Sequence, residues 1–275
     1  MKTIRFNRCT RSPIGLYDEE QSSVHKAQIS GAPQLRATLK LIFLVYCPLV
    51  LAAQTGAVMP LASEPHHHLL LHNEYANVYQ VQVEPHDSVL LHRHDFDAIS
   101  VMLDNSEVTV HTPGKPEARR KLIAGQIRLQ PRGYVHSTTI EGDATYRNVT
   151  IELLLPQEGE HNLCFGVIPD QPLRCSAAEA ANSRTSGNQL QFESDESSVN
   201  LMRVLPQQNV TIGHPQYPEL VIALDPNLAT AGDRGTKRYL NSGDFVWLVA
   251  GKAPEFLKNN GNKESHVVVF TFRPH

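Results

Sequence analysis

Two segments of the chain recur 118 positions later with a similar pattern of apolar residues, and in the first pair with glycines at the same places. Residues 120–133 read RKLIAGQIRLQPRG, and residues 238–251 read RYLNSGDFVWLVAG. At the same offset, RNVTIEL at 147–153 matches SHVVVFT at 265–271. Similarity at a fixed offset indicates duplicated structural units, and about 80 residues per unit is near the smallest size that supports its own core. We therefore expect two small domains of one fold.

Short runs of β-type residues separated by turn residues fill both halves of the chain. Residues 78–84 alternate apolar and polar, whereas residues 98–103 are apolar on both faces. No stretch between 75 and 154 has a helical period of useful length. The 18 prolines and 16 glycines suit many short elements joined by turns. The pattern predicts an all-β fold.

The first 53 residues are basic and contain one uncharged apolar stretch. Residues 41–53 read LIFLVYCPLVLAA and follow Arg36 and Lys40. The stretch is too short for a comfortable transmembrane helix and is typical of a signal peptide. We expect residues 1–53 to be a leader cleaved near Ala52 or Ala53. The mature protein is then exported, periplasmic or extracellular, without stable membrane insertion; an uncleaved N-terminal anchor is the alternative.

Cleavage would leave two of the four cysteines, Cys164 and Cys175. They flank the turn-rich segment FGVIPDQPLR, and in an exported protein this spacing favours a disulfide. A pair of free buried thiols is the alternative. Residues 176–189 are rich in Ser, Ala, Asn and Gly, as in an exposed linker.

Three histidines form the candidate chemical site. His92 and His94 lie in a His-Arg-His sequence, and His136 ends the segment GQIRLQPRGYVH. Side chains at i and i+2 of a strand point to the same face. A third histidine from a later strand can meet them inside a barrel and complete a set of three imidazole ligands. His-x-His alone is a weak signal, so the prediction depends on the second segment.

That segment resembles the second motif of the cupin superfamily, Gly-x5-Pro-x-Gly-x2-His-x3-Asn. Gly125, Pro131, Gly133 and His136 match it at the family's spacing, and Ile140 replaces the final Asn. The resemblance implies two tandem cupin-type jelly-roll β-barrels after the leader. The expected divisions are a flexible segment at 54–67, the first barrel at 68–155, a linker with the cysteines at 156–194, and the second barrel at 195–274.

The match to the family's first motif is partial. His92 and His94 fit, but Ala98 stands where the family has a ligand Glu, and His86 stands at its leading Gly. Strand alternation places Asp97 on the opposite face, and only a β-bulge would turn it inward. We therefore expect no carboxylate ligand.

The predicted metal ligands are His92, His94 and His136, with water or substrate completing the shell. The resemblance implies Fe, Mn, Ni or Zn, and three imidazoles favour Fe(II), Zn(II) or Cu(II). The alternative is a set of buried histidines that hydrogen-bond to one another and hold no metal.

The second half keeps only parts of both motifs. His214 and Glu219 match the second His and the Glu of the first motif, but Ile212 replaces its first His. In the second motif, Val249 replaces the proline and Pro254 the ligand His. Two ligands hold a cation poorly, so the second barrel is interpreted as degenerate and structural.

Two features lie outside these motifs. His66, His67, His68 and His72 are interpreted as a solvated tail or the opening strand of the barrel, because a flexible tail has no fixed ligand geometry. Residues 99, 101 and 103 form an apolar outer face on their strand, which needs cover. That cover is expected from the second barrel or from a second subunit in a homodimer.

Two functions remain open at this point. One is a metal-dependent enzyme acting on a small molecule, with dioxygenase- or isomerase-like chemistry. The other is a non-catalytic scaffold or small-ligand-binding protein without metal. Tyr134 and His111 are general-base candidates by position only. The mildly acidic chain after residue 53 gives no reason to expect nucleic acid as a partner.

Overall fold

The computed structural model describes residues 57–159, 187–231 and 237–273. The predicted leader, its cleavage site and both Cys164 and Cys175 lie outside these ranges. Within them, every element is a β-strand apart from one 3-10 turn at Leu61–Ser63. No helix in these ranges is long and apolar enough to cross a membrane. The all-β prediction is confirmed.

The first barrel is built from two five-stranded sheets. Its strands are β1 (Met59–Pro60), β2 (His67–His72), β3 (Ala76–Val83), β4 (Ser88–Arg93), β5 (Asp97–Met102), β6 (Ser106–His111), β7 (Ala118–Leu122), β8 (Ile127–Gln130), β9 (Val135–Ile140) and β10 (Tyr146–Leu153). One sheet has the order β1-β4-β9-β6-β7 and the other β2-β3-β10-β5-β8. Non-consecutive neighbours of this kind are typical of a jelly roll.

The barrel begins before the predicted boundary at residue 68. β1 pairs with β4, with Met59 opposite His92, and β2 pairs with β3 from His67 onward. The described part of the segment expected to be flexible, from residue 57, is therefore part of the barrel. Met59 and Pro60 pair with β4 and His67 pairs with β3. So short and irregular a segment has no periodicity that would have indicated these pairings.

The second barrel repeats this arrangement. Its described strands are β11 (Asn188–Glu193), β12 (Ser197–Val204), β13 (Asn209–Ile212), β14 (Glu219–Ala223), β15 (Leu228–Ala231), β16 (Lys237–Leu240), β17 (Phe245–Leu248), β18 (Glu255–Asn259) and β19 (Ser265–Phe272). The sheet orders are β11-β12-β19-β14-β17 and β13-β18-β15-β16. Each strand after β1 has its counterpart, so the two tandem jelly rolls are confirmed.

Equivalent turns share an unusual backbone conformation. Gly125 and Gly243, 118 positions apart, have φ of 79° and 92° before β8 and β17. These left-handed values cost a side-chain-bearing residue energy, which explains why glycine recurs there. His86, at the family's leading Gly position, has φ of 62°. Gln207, in the corresponding turn of the second barrel, has φ of 59°. Both turns thus adopt the left-handed conformation without glycine.

The register corrects the alignment of the last strands by one residue. Ala98 lies opposite Gln130 and Glu152, whereas Glu219 lies opposite Leu248 and Thr271. The offset is therefore 118 at β8 but 119 at β10. A shift of one residue exchanges the two faces of a strand, so the correction changes which side chains are equivalent inside the barrels.

The apolar outer faces of the two barrels pack against each other. Ile99 and Val101 on β5 and Ile151 on β10 share one core with Leu220 on β14 and Phe270 on β19, and all five are fully buried. The cover predicted for this face of β5 is thus supplied by the second barrel of the same chain. The observation that suggested a homodimer is accounted for within one chain.

The interiors of the two barrels differ in polarity. At three corresponding positions the first barrel has Ser100, Asn148 and Thr150 and the second has Val221, Val267 and Val269. The valines belong to an apolar core that fills the second barrel. At these three positions the first barrel is polar and the second is apolar.

Candidate metal centre

Three histidines meet inside the first barrel. His92 on β4 lies directly opposite His136 on β9, and His94 follows on the chain just after β4. Their ring centroids are 4.5 Å apart for His92 and His136, 5.2 Å for His92 and His94, and 5.3 Å for His94 and His136. One ring nitrogen from each lies within 4.8 Å of the other two, and all three residues are buried. The structure brings together the three residues singled out from the sequence.

A β-bulge in β4 orients His92. Three steps along β4, from Val89 to His92, face two steps along β9, which leaves Leu90 and Leu91 outside the regular ladder. The Nδ1–H of His92 donates to the carbonyl oxygen of Leu90 at 2.8 Å. Because a carbonyl only accepts, this bond leaves Nε2 of His92 as the unprotonated nitrogen.

The remaining ring nitrogens are arranged as ligands that could hold a cation. Nε2 of His92 is buried and has no hydrogen-bond partner. Nε2 of His94 lies 3.1 Å from Nε2 of His136. A buried lone pair without a partner costs free energy, and a metal ion bound by neutral imidazole nitrogens would satisfy it. The residues present therefore fit a divalent metal ion.

Burial keeps these imidazoles neutral. Removal from water lowers the pKa of His92 to about 4 and lowers the pKa values of His94 and His136 well below the usual range. Mutual repulsion between the protonated rings acts in the same direction. Neutral imidazole is the form that binds a metal, so the site is ready for a cation without prior loss of protons at neutral pH.

The metal-free protein is expected to lose stability as the pH falls. Because the pKa of His92 drops from 6.5 to about 4 on folding, the unfolded chain takes up its proton first. Proton uptake by the unfolded chain at this residue does not affect the free energy of unfolding above pH 6.5. Between pH 6.5 and about pH 4 it lowers the free energy of unfolding, in total by on the order of 3 kcal/mol. Urea unfolding across this range measures it. His92→Gln should make the pH dependence less steep, with His94 and His136 still contributing, whereas exposed His72→Gln should leave it unchanged. Equal slopes in all three proteins would contradict the assignment.

No carboxylate occupies the position of the family's ligand Glu. Ala98 is fully buried but does not line the cavity between the histidines, where Ser100 and Gln130 lie instead. Asp97 accepts a hydrogen bond from the backbone N–H of Arg132 at 2.8 Å, on the side away from the barrel interior. The bulge lies earlier in β4, so Asp97 keeps its outward direction and does not replace the missing ligand.

Sequence reasoning missed His67 and Glu64. His67 opens β2, and its side chain is only 6% exposed and lines the same cavity as the three histidines. Its Nδ1 lies 2.7 Å from Oε2 of Glu64. Burial by itself raises the pKa of Glu64, but hydrogen bonds from His67, His66 and the N–H of Leu90 outweigh it and lower this pKa to about 2. The histidine run at 66–68 could have indicated such a residue, because a strand in this segment turns alternate side chains toward the barrel interior.

The cavity between these side chains is small. It is lined by His67, His92, His94 and His136, together with Val81, Val89, Ser100, Gln130, Thr138, Tyr146, Asn148 and Thr150. Its free volume is about 10 Å³, which is room for about one water molecule. This space suits a metal ion held among these side chains.

The two general-base candidates differ in position. Tyr134 stacks on His136 with ring centroids 4.7 Å apart, and its hydroxyl lies 3.3 Å from Oγ1 of Thr112. His111 is exposed at the end of β6. Only Tyr134 lies against the histidine group.

The described residues of the second barrel do not assemble a comparable group. By register, the counterpart of His136 is Glu255, which lies opposite Ile212, rather than Pro254. Glu219 is buried and accepts bonds from the N–H of Gly213 and the hydroxyl of Thr271, while the ring of His214 stacks on Tyr217. In the described residues, the one cluster of three or more His, Cys, Asp or Glu with suitable spacing is that of His92, His94 and His136.

Comparison with known proteins supports the architecture. No protein-family model and no curated protein matches the chain. Among solved structures, salicylate 1,2-dioxygenase from Pseudaminobacter salicylatoxidans is 11% identical, with a TM-score of 0.53 and 78% of each chain covered. A cupin 2 conserved barrel domain protein from Leptotrichia buccalis is 11% identical, with a TM-score of 0.47, 75% of this chain and 88% of the other covered. The chain has the cupin fold. In this cupin fold the polar interior and the histidine group occur in the first barrel.

Proposed function

We propose that this protein is an exported cupin-fold protein that binds a divalent metal ion in its first barrel through His92, His94 and His136. The ion is Fe, Mn, Zn, Ni or Cu, since all five accept imidazole ligands. The small-molecule chemistry proposed for it is dioxygenase- or isomerase-like.

One observation carries this proposal. Nε2 of His92 is buried without a partner and belongs to a group of three ring nitrogens within 4.8 Å of one another. The cavity volume of about 10 Å³ favours an ion over an organic ligand held by the histidines alone. The second barrel, with apolar residues at the corresponding positions, serves to cover the first.

The residues of the first barrel would position the metal ion and shield it from bulk water. His92, His94 and His136 hold neutral ring nitrogens at one point, and the barrel wall excludes bulk water from them. A bound divalent ion would supply Lewis acidity or, for a redox-active metal, electron transfer. The solved structures of similar fold include a salicylate 1,2-dioxygenase crystallised with gentisate, which makes a small organic acid the first substrate class to test.

The metal content of the purified protein tests the proposal. We expect about one equivalent of a divalent ion, measured by elemental analysis after removal of loosely bound metal. Protein that takes up no metal from Fe²⁺, Mn²⁺, Zn²⁺, Ni²⁺ or Cu²⁺ solutions would refute it.

A metal-free scaffold or ligand-binding protein is the second candidate. The contact of 3.1 Å between Nε2 of His94 and Nε2 of His136 favours it, because one ring can donate to the other without a metal. The replacement of the family's ligand Glu by Ala98 points the same way. Under this alternative, Nε2 of His92 stays unsatisfied, which is why we prefer the metal centre.

Export is part of the proposal and has its own test. Intact-mass measurement on protein from its native host should give a chain that starts near Gln54, as the apolar run at 41–53 predicts. The same spectrum should lack the mass of two hydrogen atoms, because Cys164 and Cys175 are expected to form a disulfide. A cytosolic chain that starts at Met1 would refute export, and two free thiols in protein from an oxidising compartment would refute the disulfide.

A further inference from the structure

A fourth histidine shares the cavity wall with the three histidines of the proposed centre. The ring centroid of His67 lies 5.0 Å from that of His92, which is within the range of 4.5–5.3 Å found among His92, His94 and His136. His67 lies opposite Val81, which also lines the cavity. The ring therefore faces the barrel interior rather than solvent.

Glu64 holds this ring by its outer nitrogen. Oε2 of Glu64 lies 2.7 Å from Nδ1 of His67, and the Glu64 side chain is completely buried. In the neutral ring, Nδ1–H donates to this carboxylate and Nε2 carries the lone pair. A carboxylate on the far nitrogen is the arrangement that fixes the tautomer of metal-binding histidines.

The same carboxylate is connected to His92 through the bulge in β4. Oε1 of Glu64 accepts the N–H of Leu90 at 3.1 Å, and the carbonyl of Leu90 accepts Nδ1–H of His92 at 2.8 Å. Glu64 thus sets the orientation of His67 directly and supports that of His92 through one residue. One buried carboxylate is thus hydrogen-bonded to the first ring and to the residue that holds the second.

Three histidines do not complete the coordination of a metal ion. The position where the family has a ligand Glu is occupied here by Ala98, which cannot coordinate. We propose that His67 is the fourth protein ligand of the metal ion and that Glu64 is the residue that positions it. The inference rests on the proposed metal centre. His67 contacts His92 but does not belong to the group of ring nitrogens within 4.8 Å of one another, so coordination requires its side chain to move inward. Its place at the start of an edge strand permits this movement.

Cobalt binding tests the inference with a matched pair of variants. Co²⁺ affinity is measured by chelator competition, and the ligand field by visible absorption. Glu64→Gln should weaken Co²⁺ binding about 10–100-fold, and His67→Gln should weaken it at least as much and change the spectrum. His66→Gln is the control, because His66 also contacts Glu64 but does not line the cavity; it should bind as wild type does.

A double variant separates positioning from general stability. If Glu64 acts through His67, Glu64→Gln should add little to the loss caused by His67→Gln. A spectrum and affinity unchanged in His67→Gln would overturn the fourth ligand while leaving the three-histidine centre intact. A wild-type protein without Co²⁺ binding would overturn both. If His67→Gln does not fold, as judged by circular dichroism, Co²⁺ protection of His67 from diethyl pyrocarbonate in the wild-type chain decides: protection supports the ligand, and its absence refutes it.

Discussion

Replacement of His136 by Ala is expected to abolish stoichiometric uptake of a divalent metal, whereas replacement of His214 by Ala is expected to leave it unchanged. His136 faces His92 across β4 and β9 and supplies one of three nitrogens within 4.8 Å. His214 stacks on Tyr217 in the second barrel and belongs to no such group. Both substitutions remove the same side chain, so a difference between them locates the site.

Elemental analysis and titration with Zn²⁺ measure this difference. The wild-type protein and His214→Ala should each bind about one equivalent. Full uptake by His136→Ala would mean that the metal binds elsewhere, and equal losses in the two variants would refute the assignment of the site to the first barrel. Thermal unfolding of the metal-free variants checks that both remain folded.

Replacement of Ile151 by Ala is expected to lower the free energy of unfolding by about 2–5 kcal/mol. Ile151 is fully buried in the core between the two barrels, so its loss leaves a cavity that packed strands on both sides cannot close. Ile123→Ala is the matched control, because Ile123 is 52% exposed. The control should change the stability by less than about 0.5 kcal/mol.

Urea denaturation of the metal-free proteins measures both changes. If Ile151→Ala costs no more than Ile123→Ala, the barrels are not held together by this core. The apolar face of β5 would then need another partner, and a homodimer would again be the explanation.

The second barrel shows why the alignment alone misplaced equivalent residues. The offset of 118 that holds at β8 and β17 becomes 119 at β10 and β19, and only the register reveals the inserted residue. Through this shift Glu255, not Pro254, corresponds to His136. Pattern matching between diverged repeats tolerates a one-residue error, whereas a strand does not, because each step reverses the face.

His67 illustrates the same limit at the site. Its neighbours His66 and His68 are of the same residue type, so composition gave no reason to separate them. The side chain that points inward was selected by the pairing of β2 with β3 and by the buried carboxylate of Glu64. Neither contact is encoded by local propensity.

The all-β fold, the duplication and the group of His92, His94 and His136 were predictable from the sequence. Turn residues and alternation are local, and the spacing from Gly125 to His136 sets one turn and one strand, which brings the third histidine to the first two. The tertiary structure alone decided that the second barrel covers the outer face of β5 and that Glu64 and His67 join the cavity. These contacts join segments far apart in the chain, and their geometry depends on the packing of whole sheets rather than on any residue's local preference.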